Sequence, residues 1–128
     1  MNKQIVVTGA LFGMVAVITG AFGAHALKSL LAPAQLEIWH TAVQYQFYHT
    51  FALLFLSTFS RFKNNYIFTA YWLFVFGIIL FSGSLYLLSL RSALGWNGLM
   101  WLGPVTPVGG LLFISGWITL AIAGLRNK

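Results

Sequence analysis

Four long apolar stretches, residues 5–24, 39–59, 66–88 and 108–125, alternate with short segments that hold the charges, and none of the four contains Lys, Arg, Asp or Glu. A helix rising 1.5 Å per residue needs about 20 apolar residues to cross the hydrocarbon of a bilayer. The pattern therefore predicts an all-α, integral membrane four-helix bundle. Lys28 and Glu37 fall in the first gap, Arg61 and Lys63 in the second and Arg91 in the third. No polar linker or low-complexity stretch marks a second unit, so residues 1–128 read as a single transmembrane domain.

The gaps carry their own signals. Leu27, Leu30, Leu31, Leu36 and Ile38 mix with Lys28, Ser29, Gln35 and Glu37, a composition suited to the membrane interface. Pro33 fits the first turn of a helix running into the second span, and Glu37 lies near that helix's positive end. The short turn at 61–65 predicts that spans two and three form a hairpin. Between spans three and four, Trp96 and Trp101 suit the headgroup layer. Gly103, Pro104, Thr106, Pro107, Gly109 and Gly110 predict a broken or re-entrant approach to the fourth helix, because proline lacks the amide donor and glycine loosens the backbone.

Composition sharpens this picture. Hydrophobic residues make up 59% of the chain and charged residues 6%, against about 25% charged in a typical soluble domain, so most of the surface must face lipid. The net charge of +6 is spread one or two residues at a time beside the span ends rather than along a basic stripe, which argues against nucleic acid. Lys3, Arg61, Lys63, Arg126 and Lys128 fall on one side and Lys28 and Arg91 on the other, which predicts both termini in the cytoplasm of a cell (inner) membrane. The first stretch, with Lys3 before it and Ala24-His25-Ala26 after it, has features of a secretory signal. It is longer than a signal core and is expected to remain as a helix.

Helices in lipid associate through close packing at small residues. Gly9, Gly13, Ala16, Gly20 and Gly23 form one face of the first span, and Gly109, Gly116 and Ala123 recur every seven residues in the fourth. These faces are expected to pack within the bundle or against a second copy. Ser82-Gly83-Ser84 in the third span reads as a close-packing site whose hydroxyls bond back to the backbone.

Candidate chemistry concentrates in the second span. At 100° per residue, Glu37, His40, Thr41, Gln44, Tyr45, Tyr48 and His49 fall on about half of the helix circumference, and Gln46 breaks the pattern. Polar side chains facing lipid are costly, so this half is expected to look into the bundle or at the outer interface. There it would form a polar vestibule for a small solute, a proton path through the histidines, or interhelical hydrogen bonds. A metal site would have to come from His25, His40, His49 and Glu37, and His40 and His49 point oppositely from one helix, so none is expected. With one carboxylate, no cysteine, no phosphate loop and no nucleophile elbow, the sequence reads as a non-enzyme without cofactor.

Gly20-Ala21-Phe22-Gly23-Ala24-His25-Ala26-Leu27, Trp39 with Tyr45, Tyr48 and His49, Phe81-Ser82-Gly83-Ser84-Leu85-Tyr86, and Gly103-Pro104-Val105-Thr106-Pro107-Val108-Gly109-Gly110 resemble the YgdD/YwdK-type family of small four-helix membrane proteins, bacterial with eukaryotic relatives. The resemblance covers nearly the whole chain in order. It implies a multi-pass membrane protein of uncharacterised function and supplies no catalytic or binding residue. Two readings of function arise: a structural or accessory membrane component, as a homo-oligomer or within a larger membrane complex, or a small oligomeric channel or transporter for an anion or polar solute. The first span lacks the acidic residue of small multidrug exporters, and the signature residues of small fluoride channels are absent.

Overall fold

The computed structural model describes residues 2–59 and 65–126. Helix α1 (Lys3–Ala24) is followed by the short α2 (Ala26–Leu30) and by α3 (Pro33–Leu56). Then α4 (Asn65–Gly77), a π-helical turn (Ile78–Ser82) and α5 (Gly83–Leu90) run on as one rod of 26 residues. A 3-10 turn (Asn97–Leu102) leads into α6 (Val105–Arg126). Three of these segments, Lys3–Ala24, Asn65–Leu90 and Gly98–Arg126, are long and apolar enough to cross a membrane. Helix α3 matches them in length at 24 residues and owes its lower hydropathy to its polar residues.

Local chemistry explains the boundaries. The Asn2 side chain caps α1 by accepting from the Ile5 amide at 3.2 Å. Pro33 occupies the first turn of α3, where a missing N–H costs nothing. The rod ends in a left-handed turn at Gly95 (φ 67°), with the Trp96 amide reaching back to the Arg91 carbonyl at 2.9 Å, a closure that glycine permits without steric cost. Helix α6 begins at Val105, earlier than residue 108 expected from sequence. Pro107 is its third residue, and the first amides of a helix have no intrahelical partner to lose. The break thus lies at Gly103 and Pro104, while Thr106, Pro107, Gly109 and Gly110 belong to the helix. Residues 61–64 of the turn between spans two and three lie outside the described residues, as does Lys128.

The spans pack in chain order. Helix α1 lies antiparallel on α3, with Gly9 beside Leu53 and Leu54, Gly13 beside Thr50, Gly20 beside Val43 and Gly23 beside Trp39. Helix α3 is in turn antiparallel to the rod: Ser82 donates to the Ala42 carbonyl, and the Trp39 and Tyr86 rings meet edge to face at 4.7 Å. The rod carries α6 antiparallel, Phe113 against Gly77 and Phe74 against Gly116. Ile5, Leu53, Leu56 and Phe74 fill the core nearest the termini, and Leu27, Leu31, Trp39 and Val43 form a second cluster at the opposite end. The small-residue faces of α1 and α6, Ala16 and Ala123 included, are consumed inside the protomer.

The tightest approach is at the π turn. A Cβ on Gly109 would overlap the backbone nitrogen of Phe81 and lie 2.7 Å from its Cα. Backbone cannot swing aside as a flexible side chain can. Gly109→Ala should therefore destabilise the fold by about 1–3 kcal/mol through overpacking. A Cβ on Gly124 would meet nothing within 4 Å, so Gly124→Ala should be neutral or stabilising by up to about 1 kcal/mol. Thermal unfolding of both variants in detergent checks the contrast; equal effects would refute this account of the α6 contact.

Candidate functional site

The inward face of α3 is set by Trp39, Ala42, Val43, Gln46, His49, Thr50, Leu53 and Leu56, all buried. Their spacing of three, one, three, three, one, three and three is the stripe of a helix packed on two neighbours. Gln46, the residue that broke the polar arc in the sequence, is therefore an interior residue, 2% exposed. Its amide nitrogen donates to the Phe12 carbonyl of α1 at 2.8 Å, and its oxygen accepts from the Tyr86 hydroxyl at 2.7 Å. Tyr86 also lies 3.0 Å from the Thr19 hydroxyl, and the Trp39 indole donates to the Thr19 carbonyl at 2.8 Å. One network thus links α1, α3 and α5.

His49 anchors a second network toward α6. The Trp117 indole, a donor only, lies 3.0 Å from Nε2, so Nε2 accepts. Nδ1 then bears the hydrogen and donates to the Tyr45 carbonyl at 2.7 Å. The imidazole lies flat on Phe113, ring centroids 3.5 Å apart and planes 6° apart. Both nitrogens are engaged, which leaves no lone pair for a metal, and neither partner can pass a proton onward. The space between α3, the rod and α6 is occupied by the rings of Tyr45, Phe81, Phe113 and Phe74 around His49.

Of the other residues of the proposed vestibule only Tyr45, whose ring stacks on His49 with centroids 6.1 Å apart, joins it. Glu37, His40, Gln44, Tyr45 and Tyr48 are exposed and Thr41 is half-buried. They line the outside of α3 rather than an enclosed cavity, because the neighbouring helices claim the side bearing small and aliphatic residues. Gln44 and Tyr48 form no hydrogen bond among the described residues, whereas Thr41 bonds back to the Glu37 carbonyl at 3.1 Å. Among the described residues no three His or Glu side chains come together.

Serine chemistry differs from the expectation at 82–84. Ser82 donates across the interface to the Ala42 carbonyl at 2.8 Å rather than to its own helix. Ser84 bonds back to the Phe81 carbonyl and also meets the Thr106 hydroxyl of α6 at 2.6 Å. A Cβ on Gly83 would meet nothing within 4 Å. The close approach lies instead at Gly109, where the π turn presents its backbone.

Thr50 is the exception inside: its hydroxyl is buried without a partner among the described residues. The methyl of the same side chain faces Gly13.

The Gln46–Tyr86 hydrogen bond is open to a double-mutant cycle with Gln46→Leu and Tyr86→Phe. Coupling of about 0.6–1.7 kcal/mol is expected, the range for such bonds between membrane helices. Additive effects in unfolding measurements would show that the pair contributes nothing beyond packing.

The family described as "Protein of unknown function (DUF423)" matches residues 19–110. A UPF0382 membrane protein of Staphylococcus epidermidis is 44% identical over 124 residues, 97% of each chain. One of Staphylococcus aureus is 46% identical with the same coverage. The UPF0382 membrane protein YwdK of Bacillus subtilis is 41% identical over 127 residues, 97% of this chain and 98% of its own. No solved structure matches. With four membrane-length helices in a bundle and relatives of this kind along nearly its whole length, the chain belongs to the DUF423 family of membrane proteins.

Proposed function

We propose that this protein is a structural or accessory component of the cell membrane that works by holding another membrane polypeptide against the outer face of α3. The observation that carries this reading is the difference between the two sides of that helix. The polar groups turned inward, apart from Thr50, are spent on joining the spans, through Gln46, His49 and their partners. The amide of Gln44 and the phenol of Tyr48 are turned outward with no hydrogen-bond partner among the described residues. An unmet amide in hydrocarbon costs on the order of several kcal/mol, which favours a protein neighbour over lipid tails.

The same arrangement favours a role without catalysis. The lone carboxylate, Glu37, stands exposed on α3, and His49, the histidine buried in the bundle, has both nitrogens engaged. Transport through one protomer draws no support, because the aromatic rings around His49 fill the space a solute would need.

Both termini are assigned to the cytoplasm. Lys3 and Arg126 share the end at which the Arg126 guanidinium lies 5.3 Å above the Tyr66 ring, and Lys28 and Arg91 belong to the opposite end. These are two against two; the excess comes from Arg61, Lys63 and Lys128, which lie outside the described residues and which the order of the spans along the sequence assigns to the first side.

Two measurements test the proposal. A photo-crosslinking residue at position 44 should recover a polypeptide adduct from native membranes, and reconstituted liposomes should stay tight to ions and protons. No adduct, or a selective flux lost in Gln44→Ala, would overturn it. The chain has no cysteine, so Leu94→Cys and Thr58→Cys report topology cleanly: an impermeant maleimide should label the first in intact cells and spare the second, and the reverse result would invert the orientation.

A further inference from the structure

A groove runs up the outside of the rod, between it and the segment that leads into α6. Ile79, Gly83, Leu87 and Val105 line its lower section, and Leu87, Trp96 and Leu99 its upper one, so Leu87 joins the two. Ile79 lies in the π turn near the middle of the 26-residue rod. Arg91, which continues the helical backbone (φ −50°, ψ −51°), stands one turn beyond Leu87 on the same face. From Ile79 to Arg91 the rod climbs about 18 Å at 1.5 Å per residue. One leaflet's hydrocarbon is about 15 Å deep, half the thickness of the layer. The groove therefore has the reach of one acyl chain, from the middle of the membrane to its surface.

Two features set it apart from ordinary lipid-facing surface. The first is charge. The Arg91 side chain forms no hydrogen bond or ion pair among the described residues, and the single carboxylate of the chain, Glu37, belongs to α3. The surface grooves beside Trp72 and beside Leu11 are lined by no charged residue. The second is Gly83. Glycine inside a helix is destabilising relative to alanine, and Gly77, Gly109 and Gly116 justify theirs by admitting a ring or backbone. A Cβ on Gly83 would meet nothing within 4 Å, so no neighbouring span requires the glycine. What its missing side chain leaves is the floor of the groove.

We propose that the groove is a binding site for one anionic phospholipid, with an acyl chain lying over Gly83 and the phosphate paired with Arg91. A guanidinium offers a phosphate two parallel N–H donors, and basic positions at the ends of spans recruit acidic head groups. Trp96, exposed beside the upper section, places an indole at head-group level. The groove also widens toward that end, from 270 Å³ in the lower section to 450 Å³ in the upper, a taper that suits a head group above a single chain. A helix of another polypeptide would have to bring its own acid to Arg91, whereas an anionic lipid brings the charge and the chain together.

Native mass spectrometry of the detergent-solubilised protein, titrated with phosphatidylglycerol or phosphatidylcholine, tests the site. The wild type should retain one phosphatidylglycerol about tenfold more tightly than phosphatidylcholine. Arg91→Gln should abolish that preference, and Lys28→Gln, the other basic residue at this end, should keep it. Gly83→Leu should weaken both lipids at least about tenfold by filling the groove, without lowering the thermal midpoint in lipid-free detergent. Equal affinity of the wild type for the two lipids, the same loss in Lys28→Gln as in Arg91→Gln, or unchanged binding in Gly83→Leu would each overturn the proposal. Displacement of the lipid by excess glycerol 3-phosphate would make this a site for a soluble phosphate instead. A smaller oligomeric mass in Gly83→Leu would put a protein helix in the groove and overturn the lipid. Arg91→Gln reads the charge without entering the groove, so its outcome decides the proposal even if Gly83→Leu unfolds.

Discussion

In hydrocarbon there is no water to accept a hydrogen bond, so each polar group in a spanning helix has to find its partner within protein. That constraint organises the whole chain. Thr8, Thr19, Thr41 and Thr119 return their hydroxyls to the carbonyl one turn back. Longer side chains reach other spans instead: Gln46 to α1 and α5, Trp39 to α1, Trp117 to His49. Each such bond is worth little, yet leaving one end unmet would cost more than making it gains, so the network specifies which helices are neighbours as much as it stabilises them.

Close packing supplies the second half of the energy. Without a hydrophobic driving force between helices, dispersion contacts at short range hold the spans together, and glycine is what allows short range. Gly23 receives the Trp39 indole, and Gly77 and Gly116 receive the rings of Phe113 and Phe74. Gly109 goes further and admits backbone, at the π turn. A single π turn adds a residue to the rod, shifts the register of the residues beyond it, and so lets Ser82 face α3 while Phe81 faces α6.

The architecture is legible in the sequence because the signals are long. Uncharged apolar stretches of 18 to 23 residues, four times over, read as spans, and Pro33, the glycine faces and the Gly103–Pro104 break each leave a local mark in the sequence. The start of α6 differs from the sequence expectation by three residues because Pro107 looks like a stop when it is in fact tolerated in a first turn. The π turn leaves no signal, since Ile78 to Ser82 differ in no way from helix formers. The polar arc on α3 divides: His49 and the ring of Tyr45 pack against neighbouring aromatic rings, Thr41 is half-buried, and Glu37, His40, Gln44 and Tyr48 are exposed. Polarity alone does not decide burial; Ala42, Val43, Ala52, Leu53 and Leu56, small or aliphatic and able to pack, decide it.

Gln44 and Gln46 make that lesson quantitative. They are chemically identical and two residues apart, hence about 200° apart around the helix. One is closed into a three-helix network, and the other is presented to the membrane. Were the exterior of the protomer the final lipid boundary, Gln44 would be a liability that an ordinary aliphatic residue removes, as Leu11 and Leu111 do on neighbouring spans. On the outer face of α3 the same amide suits a protein neighbour, which can meet its donor and acceptor as lipid tails cannot.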